Sequence, residues 1–305
     1  MAKSGDLVVG RVNQKQVIIP ESALVKSQRV ASHMASLLGY REIESSLAAY
    51  WSLETRDREW QILLGLCPNC RSTNNKVLEI GSGMGLFTIV GQFLGINCVG
   101  VEPGDEKYDG SVLIAHEALR ANQLSESIIK KGYAEQLPFQ DEEFDCVCSF
   151  QTIEHVNDPR LMLTEAYRVL KPGGILLLEC PNYNYPLEVH YGVAVPTFFG
   201  RTVTKLFLWL QQRPIHFLKH VNWVTPQTLQ TWLLTANFEV EFIGPKIDVQ
   251  ELELDIVSFP IPFNFHRNTW GSRFVKKAFG VNIVKQFGIK LGCYSLITCV
   301  ARKSA

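Results

Sequence analysis

The sequence predicts an α/β protein with a mostly parallel sheet, helices on both of its faces, a helical N-terminal segment and two long insertions. Apolar strand-like runs alternate with helical runs between residues 76 and 182, and a glycine-rich turn joins the first of these strands to a helix. Alternation of strand and helix implies parallel pairing through right-handed crossovers. With 305 residues, 46% of them hydrophobic and 20% charged, the chain is long enough to bury one such core.

The glycine-rich turn is the most informative segment of the chain. It places Gly81, Gly83 and Gly85 after an apolar strand, with the acid Glu79 two residues before the first glycine. Glycine permits a sharp turn and close approach of a ligand to the main chain. A turn between a strand and a helix is where nucleotide-like ligands dock in open α/β sheets. The dinucleotide fingerprint needs its third glycine at position 86, which is Leu86, so the pattern argues against a nicotinamide cofactor.

The other elements of this region follow from hydrophobic pattern and from end signals. Strands are predicted at 76–80, 97–102, 127–132, 144–150 and 174–180, with helices at about 84–95, 110–122 and 158–169. Asp158 supplies an N-cap and Pro159 a first-turn proline for the third helix, and the Lys171–Gly174 turn ends it.

Three further elements lie near the carboxyl end of the chain. Thr225 and Pro226 begin a helix that extends to about Ala236, by the same capping argument. Strands are predicted at 238–243 and 294–301.

Five segments resemble class I S-adenosylmethionine-dependent methyltransferases in both order and spacing. They are the glycine turn at 77–85, the strand 99–102 that ends in Glu102, the loop 132–139, the strand 144–150 with the residues up to Val156, and the turn 170–176. The resemblance covers about residues 76–182 and points to a quinone- and glycan-modifying branch. It implies a Rossmann-like seven-stranded sheet whose last two strands form an antiparallel edge hairpin, and S-adenosylmethionine as the cofactor.

The cofactor's parts require different protein groups. Main-chain amides between Gly81 and Gly85, including that of Ser82, suit the carboxylate end. Glu79 is expected to meet the amino group directly or through water. Glu102, seventeen residues after Gly85, is expected to accept hydrogen bonds from the ribose hydroxyls.

The adenine side of the site departs from the family's commonest pattern. Tyr133 stands where the family usually has an aspartate that receives the adenine amino group. Either the main-chain amide of Ala134 contacts the ring while Tyr133 stacks on it, or the loop is displaced and Glu135 compensates. Gln151, directly after the fourth strand, is expected to line the pocket beside the methionine moiety.

Two histidines are candidate catalytic residues. Methyl transfer from a sulfonium is an in-line displacement, and a hydroxyl acceptor must also lose a proton. His155 has a suitable ordinary pKa for a general base. The alternative is that Glu154 and His155 only fix the loop before Asp158. His190, just after the fifth strand, is the second candidate base or an acceptor-binding group, and it lies in a segment that resembles bacterial enzymes modifying glycans or lipid-linked compounds.

The domain prediction is a helical segment at 1–75 and a methyltransferase domain at 76–305 with insertions at 182–224 and 245–292. In the N-terminal segment, 17–20 is a candidate strand, and 22–38 and 44–66 are candidate helices. The segment either covers the cofactor or only packs against the sheet. Both insertions are basic and rich in aromatic residues, and residues 272–291 hold five cations and no acid. We expect them to form a lid over the acceptor, with contact with an anionic membrane surface as the second hypothesis and additional core and rim as the third.

Composition excludes several classes of protein. Lysine plus arginine and aspartate plus glutamate both number 30, so charge gives no support for a nucleic-acid partner. The start of the chain lacks an apolar stretch of signal-peptide length, and no run approaches the ~20 apolar residues of a spanning helix. We therefore expect a cytoplasmic protein, with association at a membrane surface as the second hypothesis. The oligomeric state is left open.

The eight cysteines predict a reducing compartment. Cys67 and Cys70 have the spacing of half a zinc site, but no second pair follows at a suitable distance. We predict a turn before the first strand and no metal, with zinc or a redox pair as the alternatives. Five cysteines lie in apolar strand patterns, where a thiol packs as a small hydrophobe: Cys98, Cys146, Cys148, Cys180 and Cys299.

The sequence therefore predicts a methyltransferase acting on oxygen of a small, lipid- or sugar-linked acceptor. The competing hypothesis is a cofactor-binding partner protein that has lost catalysis. Binding of S-adenosylmethionine combined with a methyl-release assay distinguishes the two.

Overall fold

The computed structural model describes residues 2–38, 50–72, 74–104, 110–186, 188, 190–191, 195, 197–245 and 294–305. Its strands are β1 Leu7–Val12, β2 Lys15–Ile19, β3 Lys76–Ile80, β4 Asn97–Glu102, β5 Ile129–Lys131, β6 Phe144–Phe150, β7 Leu170–Pro181, β8 Phe238–Gly244 and β9 Leu296–Lys303. Its helices are α1 Glu21–Leu38, α2 Leu53–Leu66, α3 Leu86–Phe93, α4 Ser111–Ala121, α5 Pro159–Val169, α6 Arg201–Leu210 and α7 Pro226–Thr235.

The main sheet has seven strands in the order β5-β4-β3-β6-β7-β9-β8. Strands β3 to β7 pair in parallel, and β9 pairs antiparallel with both β7 and β8. The predicted mostly parallel sheet and its antiparallel edge hairpin are therefore confirmed. The chain runs outward from β3 through β4 to β5 and then returns to β6 on the other side of β3. Ligands bind in the crevice at such a switch point, beyond the carboxyl ends of the strands.

The two faces of the sheet carry separate cores, which follows from the alternation of side chains along each strand. In β3, Val77 packs into the core that contains Phe87 of α3 and Ala115 of α4. Its neighbour Leu78 packs into the core with Leu163 of α5. Helix α7 covers this second face through Leu229 and Leu233. The predicted helices on both faces are confirmed.

The N-terminal segment is not helical throughout. The predicted strand at 17–20 is β2, but its antiparallel partner β1 was not predicted. Asn13 and Gln14 make the tight turn with φ values of 46° and 64°, a conformation that asparagine tolerates in hairpins. Asn122 at the end of α4 holds β2 to the domain, because its amide pairs with Ile18 N–H and C=O at 2.9 and 2.6 Å.

The second predicted helix, at 44–66, is described only in its later part, since residues 39–49 lie outside the described residues. Helix α2 has Ser52 as its N-cap, whose hydroxyl accepts the Thr55 N–H at 3.2 Å. The insertion at 245–292 lies outside the described residues except for its first position, so the predictions for 272–291 stay predictions.

Two boundaries differ from prediction for local reasons. Strand β5 spans only residues 129–131 because Glu126–Ile128 forms a 3-10 turn capped by Ser125. Strand β7 begins at Leu170, directly after α5, because Leu170 already pairs with Phe144. The glycine turn at 173–174 therefore lies within the strand as an irregularity and does not precede it.

Helix α2 is anchored to the sheet by Trp60. Its indole is buried, stacks on Phe87 at 4.3 Å between ring centroids, and donates Nε1–H to the Phe87 carbonyl at 2.9 Å. Gly91 permits this approach, since a Cβ there would lie 2.3 Å from the indole. The N-terminal segment is thus packed against helix α3, which follows the glycine turn.

We predict that Trp60→Ala lowers the free energy of unfolding by about 3–5 kcal/mol, because it removes a buried aromatic and leaves a cavity. Trp209→Ala is the matched control. Trp209 is 63% exposed on α6, so its loss changes stability by at most ~0.5 kcal/mol. Urea unfolding followed by far-ultraviolet circular dichroism measures both; equal effects from the two variants would contradict the packing described.

Candidate functional site

The glycine turn rests on the end of the neighbouring strand. The N–H groups of Gly81 and Ser82 both donate to the Val101 carbonyl of β4, at 2.9 and 3.0 Å. Gly81 has φ 79°, and a Cβ there would lie 2.1 Å from Thr152 Oγ1, so the loop after β6 closes against it. Gly83 has φ 51°, and among the described residues no atom beyond its chain neighbours lies within 4 Å of a Cβ placed there. The turn is therefore held by the end of β4 at Gly81 and Ser82 and is open at Gly83.

Glu102 ends β4 beneath this opening. Its carboxylate is buried and accepts the Gly83 N–H at 2.9 Å through Oε2. Burial raises the pKa of Glu102 to about 7, and the hydrogen bond from Gly83 opposes part of that rise. The carboxylate thus lies beside the open part of the turn, where the sequence predicts it.

Glu79 lies in β3, two residues before Gly81. It is buried, and its Oε2 accepts a hydrogen bond from Thr88 of α3 at 2.6 Å. Burial raises the pKa of Glu79 to about 8, partly offset by Thr88 and by the nearby Arg56. Arg56 is paired with Glu59 at 2.9 Å, so helix α2 adds charged groups to the support of the turn.

The side chain of Ser82 has a structural part. Its hydroxyl is buried and lies 3.3 Å from the Val101 carbonyl and 3.4 Å from the Glu79 carbonyl. Gly100 makes room for it, because a Cβ on Gly100 would lie 2.0 Å from Ser82 Oγ. The close contact between β4 and the turn after β3 thus depends on a small residue at both positions.

The loop after β5 brings the predicted adenine-side residues to the same edge. Gly132 donates to the Glu102 carbonyl at 3.1 Å, and Tyr133 follows with its ring partly exposed while Ala134 is buried. Glu135 is engaged elsewhere, since its Oε1 accepts the N–H groups of residues 157 and 158 at 2.6 and 3.2 Å. This engagement favours Tyr133 and Ala134 over Glu135 as the ligand-facing residues.

Gln151 sits at the carboxyl end of β6 in a conformation that side chains rarely adopt. Its φ is 55°, and its N–H donates to the Glu179 carbonyl of β7 at 2.8 Å. Backbone strain of this kind concentrates at functional sites. The structure therefore places Gln151 at the crevice predicted for it, beside Thr152 and the glycine turn.

The two candidate catalytic histidines meet. His155 and His190 approach Nε2 to Nε2 at 3.3 Å, with their rings edge to face at 5.0 Å. Their side chains are 33% and 13% exposed, so His155 is the more accessible of the two. Neither position indicates the other in the sequence, because 35 residues separate them.

Glu188 orients the His190 ring through Nδ1, the nitrogen that faces away from His155. The buried Glu188 carboxylate lies 2.9 Å from His190 Nδ1, and its other oxygen accepts the Tyr191 N–H at 2.8 Å. Burial favours the neutral imidazole, but the charge and hydrogen bond of Glu188 outweigh it and raise the pKa of His190. The result is a carboxylate–histidine–histidine series that ends at the accessible ring of His155.

Glu154 adds a second acid to this cluster. It is buried, its Oε1 lies 3.9 Å from His155 Nε2, and burial raises its pKa to about 7. Glu154, His155 and His190 offer ligand atoms within 4.8 Å of one another, a spacing that a divalent cation also accepts. The hydrogen-bond distance between the two Nε2 atoms favours proton exchange between the rings.

Asn222 fixes the loop that carries His155, and no sequence motif marks it. Its main-chain N–H donates to the Glu154 carbonyl at 2.7 Å. Its side-chain amide donates to the carbonyls of Ile153 and Val156 at 3.1 and 2.7 Å. The insertion 182–224 thus positions the loop after β6, which is the physical reason that both histidines come together.

Arg58 and Glu179 form a second support that sequence reasoning missed. Arg58 of α2 binds the buried Glu179 of β7 with both terminal nitrogens, at 3.1 and 2.8 Å. Thr298 of β9 donates to the same carboxylate at 3.2 Å. Because the Glu179 carbonyl holds Gln151 N–H, the ion pair ties helix α2 to the edge of the crevice. An acid inside an otherwise apolar strand was the available signal.

Comparison with known proteins gives a family match over most of the described fold. Residues 52–242 match the family model described as a methyltransferase domain. Two curated relatives are an uncharacterized methyltransferase of Schizosaccharomyces pombe, 33% identical over 185 residues, and a ubiquinone biosynthesis O-methyltransferase of Pseudomonas aeruginosa, 27% identical over 176 residues. Each match covers 55% of this chain, and they cover 58% and 66% of the respective relatives. The chain thus spans less than two thirds of each relative's length.

A solved structure shares the fold. It is described as a sarcosine dimethylglycine methyltransferase from Galdieria sulphuraria, superposes with a TM-score of 0.52, and covers 91% of this chain and 98% of its own. Sequence identity between the two is 15%, so this likeness concerns architecture alone.

Proposed function

The chain belongs to the methyltransferase-domain family, and we propose that it transfers a methyl group from S-adenosylmethionine to an oxygen of a small, lipid- or sugar-linked acceptor. The observation that carries this proposal is the Glu188–His190–His155 series at the crevice beside the open glycine turn. A methyltransferase that only positions its substrates has no need of a base. One that acts on a hydroxyl has a use for it.

S-adenosylmethionine is the cofactor, and the residues present fit it. In the part of the chain that the structure describes, no atom beyond the neighbours of Gly83 lies within 4 Å of a Cβ placed on it, so these residues leave its main chain open to a ligand. We propose that Glu102 accepts hydrogen bonds from the ribose hydroxyls. Its buried carboxylate lies at the carboxyl end of β4, beside Gly83, which is the position this role requires. The bound cofactor supplies an electrophilic methyl group on its sulfonium.

The remaining cofactor contacts are assigned by position. Amides of the turn from Gly81 to Gly85 and the first turn of α3 favour the carboxylate end. Glu79 is assigned to the amino group, as a hydrogen-bond acceptor that meets it directly or through water. We assign adenine to the partly exposed ring of Tyr133 and the amide of Ala134, and the methionine moiety to the surface beside Gln151.

The histidine series is proposed to take the acceptor's proton. His155 receives the proton from the hydroxyl as the oxygen attacks the methyl carbon. His190 shares the positive charge through the Nε2–Nε2 contact, and Glu188 stabilises that charge through Nδ1. In this scheme His190 acts through His155 and is a positioning residue. Glu188 raises the pKa of His190, so the histidine pair is a stronger proton acceptor than an isolated imidazole.

The class of acceptor is proposed from two sources. A curated relative is a ubiquinone biosynthesis O-methyltransferase, which favours oxygen as the methylated atom. The insertion 182–224 places aromatic side chains around the histidines, with Phe217 at 5.2 Å from the His190 ring and 6.2 Å from the His155 ring. An aromatic wall of this kind suits an acceptor with an apolar or ring-shaped part.

We further propose that helix α6 contacts a membrane surface. The α6 patch comprises six exposed apolar side chains on Thr197–Phe199 and α6: Phe198, Phe199, Leu206, Phe207, Trp209 and Leu210. Arg201, Lys205 and Arg213 flank it, and the sequence from 189 to 238 contains no acidic residue. Exposed aromatic and aliphatic groups beside cations fit shallow insertion at an anionic surface. No described helix is long and apolar enough to cross a bilayer.

The Glu102 proposal predicts a pH-dependent affinity. The pKa of Glu102 is about 7, so the carboxyl is mostly protonated at pH 6 and mostly ionised at pH 8. The ionised form is the better acceptor for hydroxyl hydrogen bonds. Affinity for 5′-methylthioadenosine, which carries the ribose hydroxyls without the amino acid, should therefore rise up to roughly tenfold from pH 6 to pH 8.

Isothermal titration measures this affinity in the wild type and in Glu102→Gln. The variant keeps the shape of the side chain but cannot ionise, so its affinity should be lower and flat across this pH range. An unchanged affinity in Glu102→Gln, or the same pH slope in both proteins, would remove the ribose role.

The histidine proposal predicts separate effects on chemistry and binding. With labelled S-adenosylmethionine and a panel of a phenol, a prenylated phenol, a glycoside and a polyprenyl-linked sugar, His155→Ala should lower kcat on the accepted compound by about 10²–10⁴-fold. Its affinity for S-adenosylhomocysteine should not change. His216→Ala, an exposed histidine of the same insertion, is the matched control and should retain full activity.

Glu188→Gln provides the pH test of the same series. Since Glu188 raises the pKa of His190, its loss should move the acidic limb of the kcat profile to lower pH and lower the plateau. Full activity of His155→Ala would make that residue structural. Intact cofactor binding with no methyl release from any acceptor in the panel would favour the inactive partner protein.

The membrane proposal predicts sedimentation with anionic vesicles. Wild-type protein should bind vesicles containing phosphatidylserine more than vesicles of phosphatidylcholine alone, and added salt should weaken binding. The double variant Trp209→Ser, Leu210→Ser should bind several-fold less. Leu161→Ser, at a residue about as exposed but on α5, is the control; equal loss in both variants, or no wild-type binding, would refute the α6 patch.

A further inference from the structure

Three cysteine side chains meet near the amino-terminal ends of the central strands, at the opposite end of the sheet from the glycine turn. Cys67 ends helix α2, Cys70 follows in the 3-10 turn Pro68–Arg71, and Cys146 lies in β6. Cys70 Sγ is 2.8 Å from Cys67 Sγ and 2.9 Å from Cys146 Sγ. The three sulfurs all lie within 4.8 Å of one another. The sequence spacing showed only the first two, because Cys146 is brought in by strand pairing.

This arrangement differs from that of the other described cysteines. Cys148, two residues further along β6, is buried with its thiol 3.4 Å from the Leu78 carbonyl. Such a thiol packs as a small hydrophobe. In the cluster, by contrast, three polarisable sulfurs point at one another. Cys70 Sγ lies within hydrogen-bond distance of both other sulfurs, so the cluster presents three ligand atoms to one point.

We propose that Cys67, Cys70 and Cys146 together bind one zinc ion. Thiolates are preferred zinc ligands, and a Cys-x-x-Cys pair in a turn is a common half-site. Cys146 supplies the third sulfur from outside that pair. The inference does not depend on the proposed methyl transfer.

Zinc coordination requires an expansion of the cluster. Zn–S bonds of ~2.3 Å at tetrahedral angles place sulfurs roughly 3.8 Å apart. The short contacts to Cys70 must therefore lengthen by about 1 Å. Cys67 is only partly buried, at the junction of a helix and a short turn, so it has room to move. Binding releases the thiol protons to solvent.

The nearest acid is not available as a fourth ligand. Asp145 precedes Cys146, but its Oδ2 accepts hydrogen bonds from Lys76 N–H at 2.8 Å and Lys171 Nζ at 2.7 Å. We assign the fourth position to water on the exposed side of Cys67. The amino-terminal ends of the strands lie away from the glycine turn and the histidines, so we assign the ion a stabilising role: it fixes the end of α2, the helix that carries Arg58 and Trp60, to β6.

The test uses cobalt, then zinc, on the full chain in a reducing buffer. Co²⁺ alone, titrated into metal-free protein, should produce thiolate-to-cobalt charge-transfer absorption with a stoichiometry of one per chain. Zinc should displace it. Zinc should also raise the melting temperature by at least about 4 °C at a hundredfold excess over Kd.

The variants separate the cluster from general thiol binding. Cys67→Ser lies outside any strand and should fold, yet it should lose most of the charge-transfer band and the zinc-dependent rise in melting temperature. Cys148→Ala, on the same strand as Cys146, should keep both. Absence of the band in reduced wild-type protein, or a band that survives Cys67→Ser, would overturn the proposal. So would formation of a Cys67–Cys70 disulfide by oxidised glutathione in a protein that binds no cobalt when reduced.

Discussion

The hydrogen bonds between the glycine turn and the end of β4 are the constraint on which the rest of the site depends. Two consecutive N–H groups, at Gly81 and Ser82, share the Val101 carbonyl, and the next residue along β4 is the acid that holds Gly83. The turn is thereby locked to the strand that carries Glu102. Positive φ values at Gly81 and Gly83 make this geometry accessible only to glycine without strain.

The other side of the site depends on groups that reach it from distant parts of the chain. Three residues of helix α2 take part. Trp60 packs on Phe87 of α3, and Arg58 binds Glu179 of β7. The charge of Arg56 acts on the buried Glu79 before the turn. Asn222 does the same for the loop that carries His155. The crevice beside the glycine turn therefore depends on two supports, helix α2 before β3 and the segment 182–224 after β7.

The parts of the structure that could be predicted are those determined by residues close together in the sequence. The turn at 81–85, Glu102 at a strand end, the cap at Asp158 and the alternation of strand and helix all depend on neighbours within a few residues. The sheet order follows from those elements and from the resemblance. His155 and His190 could each be singled out, but their contact could not, because the insertion that joins them has no regular period. For the same reason Arg58, Asn222 and the third cysteine, Cys146, were not foreseen as partners: each acts across 60 residues or more.

The most direct test of the account is binding of S-adenosylhomocysteine to the wild type and to Gly83→Ala, with the melting temperature of both unliganded proteins. A methyl group at Gly83 meets no atom of the described residues within 4 Å beyond its chain neighbours, so we expect it to cost the strain of a left-handed alanine, about 1–2 kcal/mol, and a few degrees of melting temperature. It does intrude on the space assigned to the cofactor. The account predicts one tight site in the wild type and at least tenfold weaker binding in the variant. Equal affinity in the two proteins would contradict it.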